Sequence, residues 1–509
     1  MDGHGMRLQD EPAIGARALR RWGARLALFG ACVCASAAIS AQPQTAAPAQ
    51  DSERIDYSEV WPDYRQRQSR LPLRYESLGS TALDGVEKRS YRLISQRWPE
   101  NGGAVPSEWT HRVDLYLPAV ARPKTALLVI NNGINTAGGS DPVRPPGDFD
   151  EALALEVART TQTIVVSVSD LPNQYLTLPG DSVARKEDVL VAATWRRFLD
   201  APAAHATLPL HVPMAEGAVR AMDLAERELR AWRVRSFVIT GASKRAWAAW
   251  LTAVADPRAE ALVSYVIDLR IAELMQHINR VYGGGWPIAL LPYHQEGITA
   301  RYREPAFARM MQVEDAYRYL ATRHRHRLRL PKYLISASGD DFFPPDAQRL
   351  YVDALPGTTA LRAAPNADHG GVRRHMRETL IPALQRFHRG TALPQVRAAL
   401  RRDDDGLRLS AQASERPVSA TLWQADNPTG RDFRYACGIR YRDSALALRR
   451  NRAEVPLAAP PAGGWSAAFV EFRFADGFVA TTPVYVYPEE RYPDRPPANG
   501  TGACLTIPQ

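Results

Sequence analysis

The chain has 509 residues, 45% hydrophobic and 23% charged, a composition that excludes a disordered or fibrous protein and leaves room for two or three cores. Its net charge of +9 comes from arginines spread along the chain. With no block of consecutive basic residues, that charge reads as a solvated surface and excludes a nucleic-acid site.

Taken in order, Arg17, Arg20, Arg21 and Arg25 precede an apolar run from Leu26 to Ile39, and Ile39-Ser40-Ala41 offers small residues for cleavage. The pattern predicts a signal peptide over residues 1–41 and a periplasmic or secreted protein. The run is shorter than the ~20 residues a membrane span needs, so no span is expected once the signal is gone. Export leaves Cys437 and Cys504 as the two cysteines of the mature chain. In an oxidising compartment they are expected to be bonded, which on the loop-entropy model contributes about 4 kcal/mol. Residues 42–75 read as a linker and N-terminal extension, and 42–56 are rich in Pro, Ala, Gln and Ser.

Residues 76–392 carry the main domain. Tyr91 to Trp98 and Trp109 to Leu117 read as a hairpin, with Gly102-Gly103 and Pro106 between them. Ala126 to Ile130 is a continuous apolar strand that runs into Asn131-Asn132-Gly133-Ile134-Asn135. A glycine-bearing loop there suits half of an oxyanion hole, and suits an ordinary turn equally. Helices (Asp148 to Arg159, Glu187 to Leu199, Glu216 to Trp232) then alternate with strands (Thr163 to Val168, Phe237 to Thr240, Ala261 to Leu269, Tyr333 to Ser338, Thr358 to Arg362). This alternation predicts a mostly parallel sheet covered on both faces, with ligands beyond the carboxyl ends of the strands.

At one such end stands Gly241-Ala242-Ser243-Lys244-Arg245-Ala246, a short turn from a buried strand into a helix. It fits a nucleophile elbow, although Arg245 replaces the second glycine of G-x-S-x-G. The plainer reading is that Ser243 caps the helix. Asp340 follows the next-to-last strand in Gly339-Asp340-Asp341-Phe342-Phe343, and His369 follows the last in Asp368-His369-Gly370-Gly371. The order serine, acid, histidine is that of α/β-hydrolases. Ser243, Asp340 and His369 are therefore the expected catalytic triad, with the backbone N–H groups of Lys244 and of Gly133 or Ile134 as oxyanion donors.

An insertion over residues 270–330 predicts a helical lid, whose Tyr282 and Trp286 line a substrate cleft or else form the lid's own core. Arg245 and Lys244 add positive charge that would suit an anionic group. His324 and His326 lie among arginines, which argues against a metal site, and no metal or cofactor is expected. Beyond residue 393 helix signals vanish. Short strands (Leu407 to Ala411, Val418 to Ala425, Phe433 to Tyr441, Ala467 to Phe474, Thr481 to Tyr487) predict a small β-sandwich over 393–509, with Cys437 on a middle strand.

Several motifs together are similar to those of the PhoPQ-activated pathogenicity-related family. They are Leu171-Pro172-Asn173-Gln174, Glu187-Asp188 with Thr194-Trp195, Pro213-Met214 with Ala221-Met222-Asp223, the Ser243 elbow, Gly339 to Phe343, Pro365 to His369, and Trp465-Ser466-Ala467-Ala468-Phe469. The resemblance implies an exported α/β-hydrolase-like protein and carries the triad onto Ser243, Asp340 and His369. Ala246 stands where the family usually has glycine, and Asp341 where it usually has glutamate. The elbow is also similar to that of glucuronoyl esterases, in which a basic residue follows the serine. The expected function is an exported serine esterase acting on an anionic or carbohydrate-linked ester, either a small molecule or glycan-linked. The alternative is a non-enzymatic envelope factor that keeps the fold as a scaffold.

Overall fold

Apolar runs bounded by turn residues become strands because burial on both faces removes the need for polar alternation. The computed structural model describes residues 55–135, 141–404, 406–498 and 500–508, so the predicted signal peptide lies outside the described residues. Its central sheet contains β1 (Arg74–Leu83), β2 (Val86–Arg97), β3 (Glu108–Pro118), β4 (Thr125–Ile130), β5 (Ile164–Val168), β6 (Ser236–Ala242) and β7 (Ala259–Tyr265). After the two-residue β8 (Trp286–Pro287), β9 (Lys332–Ala337) and β10 (Thr359–Ala364) complete it. The spatial order is β1-β2-β3-β5-β4-β6-β7-β9-β10. The β1, β2 and β3 edge is antiparallel, and from β5 to β10 every neighbour is parallel.

Helices cover both faces. On one side α1 (Val60–Gln68), α3 (Glu187–Asp200), α4 (His211–Glu228) and α5 (Lys244–Ala255) share a core with the sheet. On the other, α2 (Glu151–Thr161) packs with α10 (Met376–Arg389). Helix α1 lies within the stretch expected as an N-terminal extension and is anchored to the main domain. Trp61 and Tyr64 are fully buried, and the Trp61 indole donates to the Leu251 carbonyl at 2.8 Å. Between β7 and β9 the insertion forms α6 (Ile271–Val281), α7 (Leu291–Gln295), α8 (Ile298–Arg301) and α9 (Pro305–Glu314).

The C-terminal strands form two antiparallel sheets. Strands β11 (Val396–Asp403), β12 (Gly406–Ala413) and β15 (Arg452–Leu457) make one. In the other, β13 (Ser419–Asn427) lies between β14 (Arg442–Leu446) and β16 (Trp465–Arg473), which pairs β17 (Val479–Thr481) and β18 (Tyr485–Tyr487). These sheets share a core with the central sheet. Tyr333 of β9 stacks 4.6 Å from Phe478 and donates its hydroxyl to the Val479 carbonyl at 2.6 Å.

The predicted strand from Phe433 to Tyr441 is absent. That stretch is irregular around a short 3-10 turn at Tyr435–Cys437, because its backbone groups bond to loops of the main sheet instead of a ladder. Cys437 sits in this turn, bonded to Cys504. The tail continues to β19 (Thr506–Ile507), which pairs with β8 of the insertion. Among the described residues no helix is long and apolar enough to cross a membrane.

Candidate active site

Strand β6 ends at Ala242 and α5 begins at Lys244, so a single residue makes the whole turn. That residue is Ser243, at φ 56° and ψ −129°, a left-handed backbone that a serine adopts only when its surroundings force it. Its N–H donates to the Tyr265 carbonyl at 2.9 Å, and its carbonyl accepts from Trp247 N–H at 3.0 Å. Gly241 is required by contact, since a Cβ there would lie 2.8 Å from the Arg245 carbonyl group. The Ser243 side chain makes no cap hydrogen bond to α5, so the plain capping reading fails.

Arg245, in place of the second glycine, turns away from the elbow into the protein. It is 4% exposed, donates to the Leu171 carbonyl at 2.6 Å, and pairs with Glu187 and with Asp148 at 3.4 Å. Ala246 is wholly buried as an ordinary residue of α5. Lys244 Nζ lies 2.9 Å from Glu187 and 3.1 Å from Asp188. Burial acts to raise the Glu187 pKa, but the two cations outweigh it and hold it well below the usual carboxylate range. Both cations are thus spoken for by acids, which removes the expected free positive charge at the site and takes Arg245 off the substrate-facing surface.

The acid and histidine loops follow β9 and β10, side by side in the sheet. Their backbones are tied together by Ser338 N–H to the Ala364 carbonyl and Gly339 N–H to the Ala367 carbonyl, both at 2.9 Å. This brings His369 Nδ1 to 2.9 and 3.0 Å from the two Asp340 oxygens. Oδ1 of Asp340 also accepts the N–H groups of Phe342 and Phe343, at 2.8 and 3.2 Å, which fixes the carboxylate plane. Burial disfavours charge on His369, but Asp340 outweighs it and raises the imidazole above its ordinary pKa. His369 Nε2 is buried and has no partner. The Phe342 ring packs 4.6 Å from the imidazole. Asp341 faces elsewhere: its Oδ1 is buried without a partner, and burial, with Asp340 and Asp368 nearby, pushes it up to about 6.

Of the three expected oxyanion donors, Ile134 is engaged elsewhere, donating its N–H to the Arg144 carbonyl at 3.1 Å in an isolated bridge. Lys244 N–H opens α5, where a helix leaves its first donors unpaired. Gly133 has φ 137°, and a Cβ there would run into the Asp170 carboxylate. Tyr282 and Trp286 are 2% exposed. Arg434 lies over the Tyr282 ring at 4.9 Å, and Trp286 packs edge-on against Tyr302 at 5.5 Å. Both are packed as core residues of the insertion. Tyr293 of the insertion donates its hydroxyl to Asp188, the partner of Lys244, at 3.0 Å.

Two acids escaped sequence reasoning. Asp268 follows β7 as Asp340 follows β9; burial pushes it up to about 7, with Asp340 and Asp346 adding to the rise, and it accepts the Tyr351 hydroxyl at 2.9 Å. Asp170 follows β5 against the Gly133 loop, and burial pushes it up to about 6. An acid in a loop after a parallel strand was the available signal for both.

The C-terminal region braces these loops. Tyr435 N–H donates to the Gly339 carbonyl at 2.9 Å. The Asn366 side chain holds the Tyr441 backbone from both sides, at 2.9 and 2.7 Å. Arg431 and His277 grip the buried Asp346 at 2.7 and 2.9 Å.

Distant structural likenesses include the acetyl xylan esterase of Paenibacillus sp. R4, with 12% identity, TM-score 0.44, and coverage of 66% of this chain and 95% of that one. The glucuronoyl esterase of Solibacter usitatus has 14% identity, TM-score 0.38, and coverage of 66% and 93%. In sequence, autocrine proliferation repressor protein A of Dictyostelium discoideum is 32% identical over 285 residues, 54% of each chain, so the chain spans about half the length of the curated relative it matches. The family model described as PhoPQ-activated pathogenicity-related protein matches residues 61–434, through the elbow and the acid and histidine loops alike. The chain belongs to the PhoPQ-activated pathogenicity-related protein family.

Proposed function

We propose that the protein is an exported serine hydrolase, an esterase with Ser243 as nucleophile, His369 as general base and acid, and Asp340 as the group that orients the imidazole. The observation that carries this reading is a buried His369 held at Nδ1 by Asp340 with its Nε2 uncommitted, and a serine on a left-handed strand-to-helix turn agrees with it. In the reaction, Oγ of Ser243 attacks the acyl carbonyl while Nε2 takes its proton. The oxyanion is received by the N–H groups of Lys244 and Gly133. The imidazolium, favoured by Asp340, passes the proton to the leaving alcohol, and water repeats the sequence on the acyl-enzyme. His369 Nε2 makes no hydrogen bond to Ser243 Oγ, and catalytic contacts of this kind often tighten only in the reactive complex. The Phe342 ring beside His369 offers the acyl group an apolar wall. The paired state of Lys244 and Arg245 favours an uncharged acyl group, carried by a small-molecule or glycan-linked ester.

A fluorophosphonate probe tests this reading. It should label the protein between about pH 6 and 9, and labelling should vanish in Ser243→Ala. No labelling of the wild type across that range would leave the fold as a scaffold for a non-enzymatic envelope protein.

A further inference from the structure

The three-stranded sheet turns its two faces to different surroundings. Alternation sends Leu409, Ala411 and Ala453 into the core, and Arg397, Arg401, Arg408 and Arg452 outward. In the register, Arg401 stands directly opposite Arg408, while Arg397 and Arg452 flank Gln412 on either side. Like charges directly opposite each other destabilise a sheet, so the Arg401–Arg408 pair is a cost to this hairpin. With Arg402 and Arg449 they make six arginines against two acids around a groove of about 970 Å³. Both acids, Asp403 and Glu454, reach the same arginine, Arg408, each at 3.4 Å. Glu454 reaches none of Arg397, Arg401, Arg402 and Arg449.

We propose that this face binds a polyuronate, a polysaccharide chain with carboxylates along its length. Guanidinium forks match carboxylates two bonds at a time, and six of them line this one groove. Ala399 and Ser410 form a low floor between the arginines, and Ser410 and Gln412 offer polar groups to sugar hydroxyls. Arg397 and Arg452 lie two strand spacings apart, ~10 Å, and the Arg401–Arg408 row lies four residues further along, ~13 Å. That grid fits an extended chain with repeating charges. No aromatic side chain lines the groove for bases to stack on, and no large apolar one is present to enter a bilayer. The face works independently of Ser243.

Binding of the full-length protein to immobilised polygalacturonate, with neutral dextran as reference, tests the assignment. Wild type should be retained on polygalacturonate and released by salt. Replacing Arg397, Arg401 and Arg452 together by Gln should weaken binding at least ~10-fold with unchanged thermal unfolding. A control set with the same charge loss at the exposed Arg70, Arg303 and Arg325 should bind as wild type. Ser243→Ala should also bind as wild type, so failure of the esterase reading would leave this result untouched. No retention above dextran, or equal loss in the control set, would overturn the proposal. So would tighter binding of duplex DNA or anionic vesicles through the same arginines.

Discussion

Asp340→Asn should disable the serine by reversing a proton. Oδ1 of Asp340 accepts two backbone N–H groups, at 2.8 and 3.2 Å, and an asparagine oxygen can keep both. The amide then presents an N–H₂ group to His369 Nδ1, which can no longer donate at 2.9 Å and becomes the acceptor. The proton moves to Nε2, where it blocks removal of the Ser243 proton. In serine proteases the equivalent exchange costs ~10⁴-fold, or about 5.4 kcal/mol of transition-state stabilisation. The second-order rate of fluorophosphonate labelling measures this without a known substrate. Asp341→Asn should label within about 3-fold of wild type, because Asp341 reaches His369 only through space. Its loss should move the pH–rate limb of His369 downward, as one negative charge near the imidazolium disappears. An Asp340→Asn rate within about tenfold of wild type, or equal losses in both variants, would refute the reasoning.

Two further tests probe the frame. Glu216 is wholly buried; burial pushes it up to about 8 although Arg65 lies 3.6 Å away, and neither carboxyl oxygen has a hydrogen bond. A raised acid holds its proton in the folded state while the unfolded chain releases it above about pH 4, so stability is present at low pH and lost as pH rises through 8. Between pH 5 and 8 this should cost about 3 kcal/mol in urea unfolding, and Glu216→Gln should flatten the slope by that amount. An unchanged slope would mean that the carboxylate is satisfied. Cys437→Ser with Cys504→Ser opens a link spanning 67 residues and should cost about 4 kcal/mol. It should also slow labelling, since Tyr435 beside Cys437 holds the Gly339 carbonyl. Unchanged labelling by a folded double variant would make the link a stability element alone.

The parallel strands and their loops were legible because strands buried on both faces read as unbroken apolar runs, and each run ends at a loop that faces the same rim. Ser243, Asp340 and His369 could be placed from that logic alone. What escaped depends on contacts distant in sequence. Arg245 looks like a surface cation until Leu171, Asp148 and Glu187 surround it. Ile134 looks like a free donor until Arg144 bonds to it. Phe433 to Tyr441 has strand composition, yet its polar groups go to Gly339 and Asn366. Residues 60–68 lack the apolar periodicity that announces a helix, and its buried face is made of Val60, Trp61, Tyr64 and Gln68. Asp268 and Asp170 owe their raised affinity for protons to burial, which composition does not reveal.

The brace on the acid and histidine loops comes from residues 431–441, and the link that holds it comes from Cys504, long after Ser243, Asp340 and His369 in the chain. A nascent polypeptide therefore carries all three side chains well before it carries their supports. The bonds from residues 431–441 to those loops, and the Cys437–Cys504 link behind them, are the last additions to the rim in chain order.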